Sequence, residues 1–264
     1  MFGSRAQGVA DLPEEEAHMS IKKKVFAVAA TMTMVGGVSA VGLLPAVAQT
    51  PSCGDNCLTV FGDEYGPQFI VDVLRQGEKV GQPVIQFRNS DSDPAEDFVY
   101  NDQGLVSDFF AAGLVSSALD LHYGGAGCES GFTPGTPPTC TNPYPDYNAF
   151  EMEYAPYGVD SGLCVGTGST AGNGTRVALE ACGVSSRTVW VEDAADGDGP
   201  NDEPLINGSD TNFSHPYVLH YPGNADPTDM PRVQLNTWTL QQYSDGTVYD
   251  NELWIEGGGI DGPD

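Results

Sequence analysis

The chain has 264 residues, with 37 Asp and Glu against 10 Lys and Arg, a formal net charge of −27. Four of those cations precede residue 25. The remaining six, Arg75, Lys79, Arg88, Arg176, Arg187 and Arg232, are too scattered to neutralise phosphates, which excludes nucleic acid as a partner and disfavours an anionic membrane surface.

From the N-terminus, the first 18 residues fit neither a targeting signal nor a mature start, and are expected to be a mis-annotated extension. Met19 opens a different pattern. Lys22, Lys23 and Lys24 form a positive n-region, an apolar stretch runs from Val25 to Leu44, and Ala46-Val47-Ala48 is a small-x-small cleavage site. Residues 19–48 therefore read as a signal peptide, and the product as a secreted, extracellular protein with no membrane segment after cleavage. Residues 49–264 are expected to form a single domain.

All six cysteines (Cys53, Cys57, Cys128, Cys140, Cys164 and Cys182) fall after the cleavage site. An even number in an exported chain indicates disulfides. Cys53-x3-Cys57 lacks the partner pair that zinc would require, so it too is assigned to a disulfide.

Gly and Pro are dense beyond residue 49, and helix signals are few. One amphipathic helix is expected over Asp108–Leu121, with Phe110, Leu114 and Leu121 roughly sharing a face, the alternative being strand–Gly–strand about Gly113. Elsewhere short β-rich runs lie between turn residues: Phe69–Leu74, Val84–Phe87, Val177–Leu179, Tyr217–Leu219 and Val233–Leu235. In Phe150-Glu151-Met152-Glu153-Tyr154 apolar residues alternate with carboxylates, as on a strand with one face to water. Two stretches read as inserted loops. One is 124–146, which contains Cys128 and Cys140, close enough in sequence to clip one another. The other is the acidic run 193–212. A calcium loop begun at Asp196 would put Asn201 and Asn207 where an EF-hand needs Gly and Glu, so that run fails the pattern.

Self-similarity organises the rest. Gly162-Leu163-Cys164-Val165-Gly166 is followed by Asn173-Gly174-Thr175, Val177-Ala178-Leu179-Glu180-Ala181-Cys182 and Thr188-Val189-Trp190. This segment resembles one repeat of the ricin-type β-trefoil lectins, all-β proteins of three pseudo-symmetric repeats. The resemblance implies a hairpin turning at Asn173-Gly174-Thr175, a Cys164–Cys182 bridge and an aromatic plug at Trp190. Weaker repeats flank it. The first comprises Phe69–Val73, Gly81–Phe87 and Glu96-Asp97-Phe98, with Asp102–Val106 as its turn and fourth strand. The third comprises Tyr217–Tyr221 and Pro231–Leu235, closed by either Trp254 or Trp238.

In that family an Asp after the first hairpin strand, an aromatic on the second and a nearby amide hold a sugar. The middle repeat has Gly166 and Glu180 in the first two places, and the last has His220 and Asn236. Both should lack a sugar site. The first keeps Asp72 and Phe87, with Asn89, Glu96 and Asp97 nearby, so Asp72, Phe87, Asn89 and Glu96 are the expected carbohydrate-binding residues. A glycan or polysaccharide is then the expected partner. Two alternatives remain on the same fold. The first is an extracellular protein partner, such as a protease inhibited through loop 124–146, and the second is a structural role at the cell surface.

Catalysis is not expected. No Gly-x-Ser-x-Gly elbow occurs, and the mature chain has three histidines, His122, His215 and His220. With so many acids, carboxylate pairs arise by chance. Phosphate-cradling glycine loops are absent, and no cofactor or metal is expected.

Overall fold

A computed structural model describes residues 57–90, 93–124, 147–193, 202–222 and 233–258. The expected extension, the signal peptide, Cys53, Cys128, Cys140 and almost all of loop 124–146 lie outside the described residues. Cys57 is disulfide-bonded.

Among the described residues, thirteen strands fall into three units of like order. The first contains β1 (Leu58–Gly62), β2 (Phe69–Val73), β3 (Val84–Arg88) and β4 (Phe98–Leu105). The second contains β5 (Asn148–Tyr154), β6 (Leu163–Thr167), β7 (Thr175–Ala181) and β8 (Val189–Glu192). The third contains β9 (Asp202–Asn207), β10 (Tyr217–His220), a broken arm β11 (Val233–Gln234) and β12 (Asn236–Thr239), and β13 (Leu253–Gly258).

In each unit the first strand pairs with the fourth, as β1–β4, β5–β8 and β9–β13. Each first strand also pairs with the fourth strand of the preceding unit, as β4–β5, β8–β9 and β13–β1. Those six pairings close a barrel, which leaves its strands no free edges. The second and third strands of each unit form hairpins, which bridge to one another through Pro83↔Ala178, Arg176↔Asn236 and Gln86↔Val233. A closed six-stranded barrel with three hairpins joined over one end is a β-trefoil.

Register shows how closely the units correspond. Gly62, Tyr154 and Asn207 face Trp254, Phe98 and Trp190 across the unit boundaries. Phe61, Glu153 and Ile206 start the next pairing opposite Ile70, Cys164 and Val218. Threefold sets then line one core: Val60, Met152 and Leu205; Val71, Val165 and Leu219; Val84, Val177 and Leu235; Phe98, Trp190 and Trp254. The two indoles donate to the carbonyls of Val165 and Leu219, each at 2.9 Å. Trp254 therefore closes the third unit, and Trp238 does not. The bridge Cys164–Cys182 forms as the resemblance implies, with Cα atoms 5.0 Å apart.

Several expectations are corrected. The helix over 108–121 is two helices, α1 (Val106–Ala111) and α2 (Ser117–Tyr123), separated at Gly113 with φ +76°. Their inward residues are Val106, Phe109, Leu119 and Tyr123, while Phe110 and Leu121 are exposed. These helices cover β5, β8 and β10 in a second small core with Ala149, Val191 and Val218. The fourth strand of the first unit begins at Phe98 and runs on through Asp102–Leu105, with a bulge at Asn101. Within the acidic run 193–212, Asp202–Asn207 is the first strand of the third unit, because Pro204, Leu205 and Ile206 are buried there. Glu151 and Glu153 do not face water. They lie buried beneath the second hairpin, accepting the amides of Gly183 at 3.0 Å and Gly162 at 2.5 Å. Among the described residues no helix is long and apolar enough to cross a membrane.

Candidate functional site

Superposing the units by register places three sites in equivalent positions. On the second strand Asp72, Gly166 and His220 correspond, since they oppose Ile85, Ala178 and Asn236. Two residues further along the third strand come Phe87, Glu180 and Trp238. The aromatic position of the third unit is therefore filled by Trp238, whereas Asn236 was expected there.

In the first unit, Asp72 is 4% exposed and Phe87 is half-buried. Asn89, just past β3, donates its side-chain amide to the carbonyl of Pro67 at 3.0 Å. Glu96 sits in a single 3-10 turn, Pro94–Glu96, capped by Asp93, whose carboxylate accepts from Ala95 N at 3.0 Å. Both Glu96 oxygens accept from Ser90 N, at 3.0 and 2.9 Å. The equivalent Glu252 also accepts a backbone amide, from Gln241 at 2.7 Å. This position thus ties down the preceding loop in two units. Asp72, Asp93 and Glu96 bring carboxylate oxygens within 4.8 Å of one another. Burial, and then the like charges of Asp72, Asp93 and Asp97, push Glu96 up to about 8. The four expected sugar residues share one unit, but Asn89 and Glu96 already serve the backbone.

The middle unit has no room for such a site. A Cβ on Gly166 would lie 2.7 Å from the carbonyl oxygen of Arg187, so no Asp fits there. Arg187 also covers the hairpin. Its guanidinium donates to Gly168 O at 2.8 Å and lies 3.9 Å from the Glu180 carboxylate.

In the third unit, His220 and Trp238 stack with ring centroids 5.7 Å apart and planes 30° from parallel. Burial lowers the pKa of His220, so the ring is neutral at pH 7. Its Nδ1 lies 2.8 Å from Asn236 Oδ1 and its Nε2 lies 3.2 Å from Asn251 Nδ2. With Nδ1 protonated, the imidazole donates to Asn236 and accepts from Asn251, so both contacts are satisfied. Trp238 remains partly exposed.

A further acidic group was not legible in the sequence. At the barrel end away from the hairpins, a cavity of about 310 Å³ is lined by Tyr100, Asn148, Glu192, Glu203 and Glu256, among others. Tyr100, Glu192 and Glu256 are threefold equivalents, each two residues past the aromatic plug, and Glu203 occupies the place of Leu58 and Phe150. The Tyr100 hydroxyl donates to Glu256 at 2.6 Å and Asn148 to Glu192 at 3.0 Å. Burial, reinforced by neighbouring carboxylates, pushes Glu256 up to about 8 and Glu203 up to about 7.

No protein-family model matches the chain, and no curated protein does. Solved structures similar in fold include a designed threefold-symmetric protein, ThreeFoil, at 12% identity and TM-score 0.45, covering 76% of this chain and 97% of its own. A ricin B-like lectin of Macrolepiota procera, solved in complex with lactose, has 16% identity and TM-score 0.40, covering 76% and 94%. A mosquitocidal holotoxin has 10% identity and TM-score 0.43, and the match covers 77% of this chain and 17% of the toxin. The protein is a β-trefoil by its own barrel-and-hairpin topology, with its three equivalent sites built differently.

Proposed function

We propose that this protein is an exported, non-catalytic trefoil that binds carbohydrate, using Asp72 and Phe87 in the first unit and Trp238 in the third. One observation carries the reading. A partly exposed aromatic stands beside a buried polar side chain at the same register position in two units, and in the remaining unit that position is taken by an ion-paired glutamate. A sugar needs one apolar face for its C–H surface and a few fixed polar groups for its hydroxyls. The first unit offers Phe87 with Asp72. The third offers Trp238 with its stacked His220 held in place by Asn236 and Asn251. Export is supported by the Lys22–Ala48 leader pattern and by the Cys164–Cys182 bridge, since such bridges persist in oxidising compartments.

A glycan array probed with the mature chain tests this reading. Binding to at least one glycan is expected, weakened by about tenfold when Phe87→Ala or Trp238→Ala removes a stacking face worth about 1 kcal/mol or more. Glu180→Ala should leave binding unchanged. An array with no signal, or a signal indifferent to both aromatic changes, contradicts the reading.

A further inference from the structure

We propose that Asp72, Asp93 and Glu96 form a divalent-cation site, suited to calcium, with the hydroxyl of Tyr154 facing it. This goes beyond sugar binding and does not depend on it.

The three carboxylates come from separate parts of the first unit: the end of β2, the cap of the 3-10 turn, and the turn itself. The fold gathers them because the second-strand position of Asp72 points its Cβ at that turn. At the equivalent place in the middle unit, a Cβ on Gly166 would meet Arg187 and Thr188, the counterparts of Ala95 and Glu96. Their oxygens lie within 4.8 Å of one another. Oxygens opposite one another across a calcium ion are separated by about 5 Å, so one such ion can touch all three carboxylates. The donors are hard oxygens with no His or Cys among them, as calcium prefers.

Tyr154 supplies an independent observation. It is fully buried at the end of β5, and its hydroxyl has no hydrogen-bond partner among the described residues. A buried, unpaired hydroxyl is costly, and such groups are rare without an unseen partner. Tyr154 holds the register position of Asn207, whose side chain donates to the carbonyl of Arg187, the counterpart of Ala95, so the Tyr154 side chain is directed at the 3-10 turn that carries Asp93 and Glu96. Several like charges and an orphaned oxygen are both accounted for by one cation. The hydrogen bonds from Ser90 N to Glu96, and from Gln76 and Ala95 to Asp93 Oδ1, hold those ligands in place.

The test uses the full mature chain, dialysed against a chelator, with calcium chloride as the probe and terbium luminescence excited through tyrosine as a second readout. At about 1 mM, the range of extracellular calcium modules, calcium is expected to raise the thermal midpoint. It should also displace terbium. Asp93→Asn and Glu96→Gln preserve shape and should each weaken calcium by about tenfold or more, as loss of a charged ligand does. Tyr154→Phe should weaken it less and dim the sensitised terbium signal. Phe87→Ala should leave calcium binding intact, which separates this site from the sugar reading. The proposal is overturned if the wild-type chain shows neither a shift nor terbium binding, or if the shift survives Glu96→Gln unchanged.

Discussion

Glu256 shows how much chemistry one side chain adds to this barrel. It stands two residues beyond Trp254, one oxygen bonded to the Tyr100 hydroxyl and the other buried without a partner. Its carboxyl, like that of Glu203, is held above the ordinary value near 4.5, at about 8 and about 7 respectively. A folded pKa above the unfolded one adds stability that is complete below the unfolded value and is lost as pH rises through the folded one. The thermal midpoint should therefore be higher near pH 5 than near pH 8, with the fall spread over the interval between the unfolded and folded values. Glu256→Gln keeps an acceptor for Tyr100 and removes the charge, so it should raise the midpoint at about pH 8 and flatten the profile. A wild-type midpoint that climbs steadily from about pH 5 to 8 would contradict this assignment. Trp190 makes a complementary case. Phe98 at the equivalent position shows that a smaller ring fits the plug, but Trp190→Phe would strip the Val165 carbonyl of its indole donor. The expected loss is about 1–3 kcal/mol in denaturant unfolding, the usual cost of an unpaired buried acceptor.

Among the elements, the second hairpin was legible in detail, and for physical reasons. Asn173-Gly174 needs a residue that tolerates positive φ, and Gly174 has φ +74°. The flanking cysteines then pair strands whose register the turn has set. Replacing both Cys164 and Cys182 by Ser should cost on the order of 3 kcal/mol by releasing that loop, read as a lower denaturation midpoint. The third hairpin was misread by two residues. A slip of two keeps every side chain on its own face, so alternation alone cannot distinguish Asn236 from Trp238 at that position. The strand Asp202–Asn207 escaped notice because Asp202 and Glu203 give it the composition of a loop. Its buried Leu205 and Ile206 are too short a run to announce a strand. The helical pair was misassigned by periodicity drawn through Gly113, which ends one helix before Ser116 caps the next, accepting from Leu119 N at 3.1 Å.

For the whole molecule, the decisive relation is the threefold equivalence of positions combined with unequal chemistry. The same register site holds Asp72 with Phe87, then Gly166 with Glu180, then His220 with Trp238. The barrel needs only that the inward sets Val71, Val165 and Leu219, and Phe98, Trp190 and Trp254, remain apolar. Outward positions are free to diverge, which is why the fold, and the grouping of Asp72 with Glu96, could be read from the repeats while the acidic cavity could not. That cavity depends on side chains far apart in sequence that meet only after the barrel closes. The measurement that tests this account most directly is the number of sugars bound per chain, counted by native mass spectrometry with the strongest glycan from the array. Two occupied sites are expected, falling to one in either Phe87→Ala or Trp238→Ala and to none in the double variant. Three equivalent sites, or a count unaffected by both changes, would contradict it.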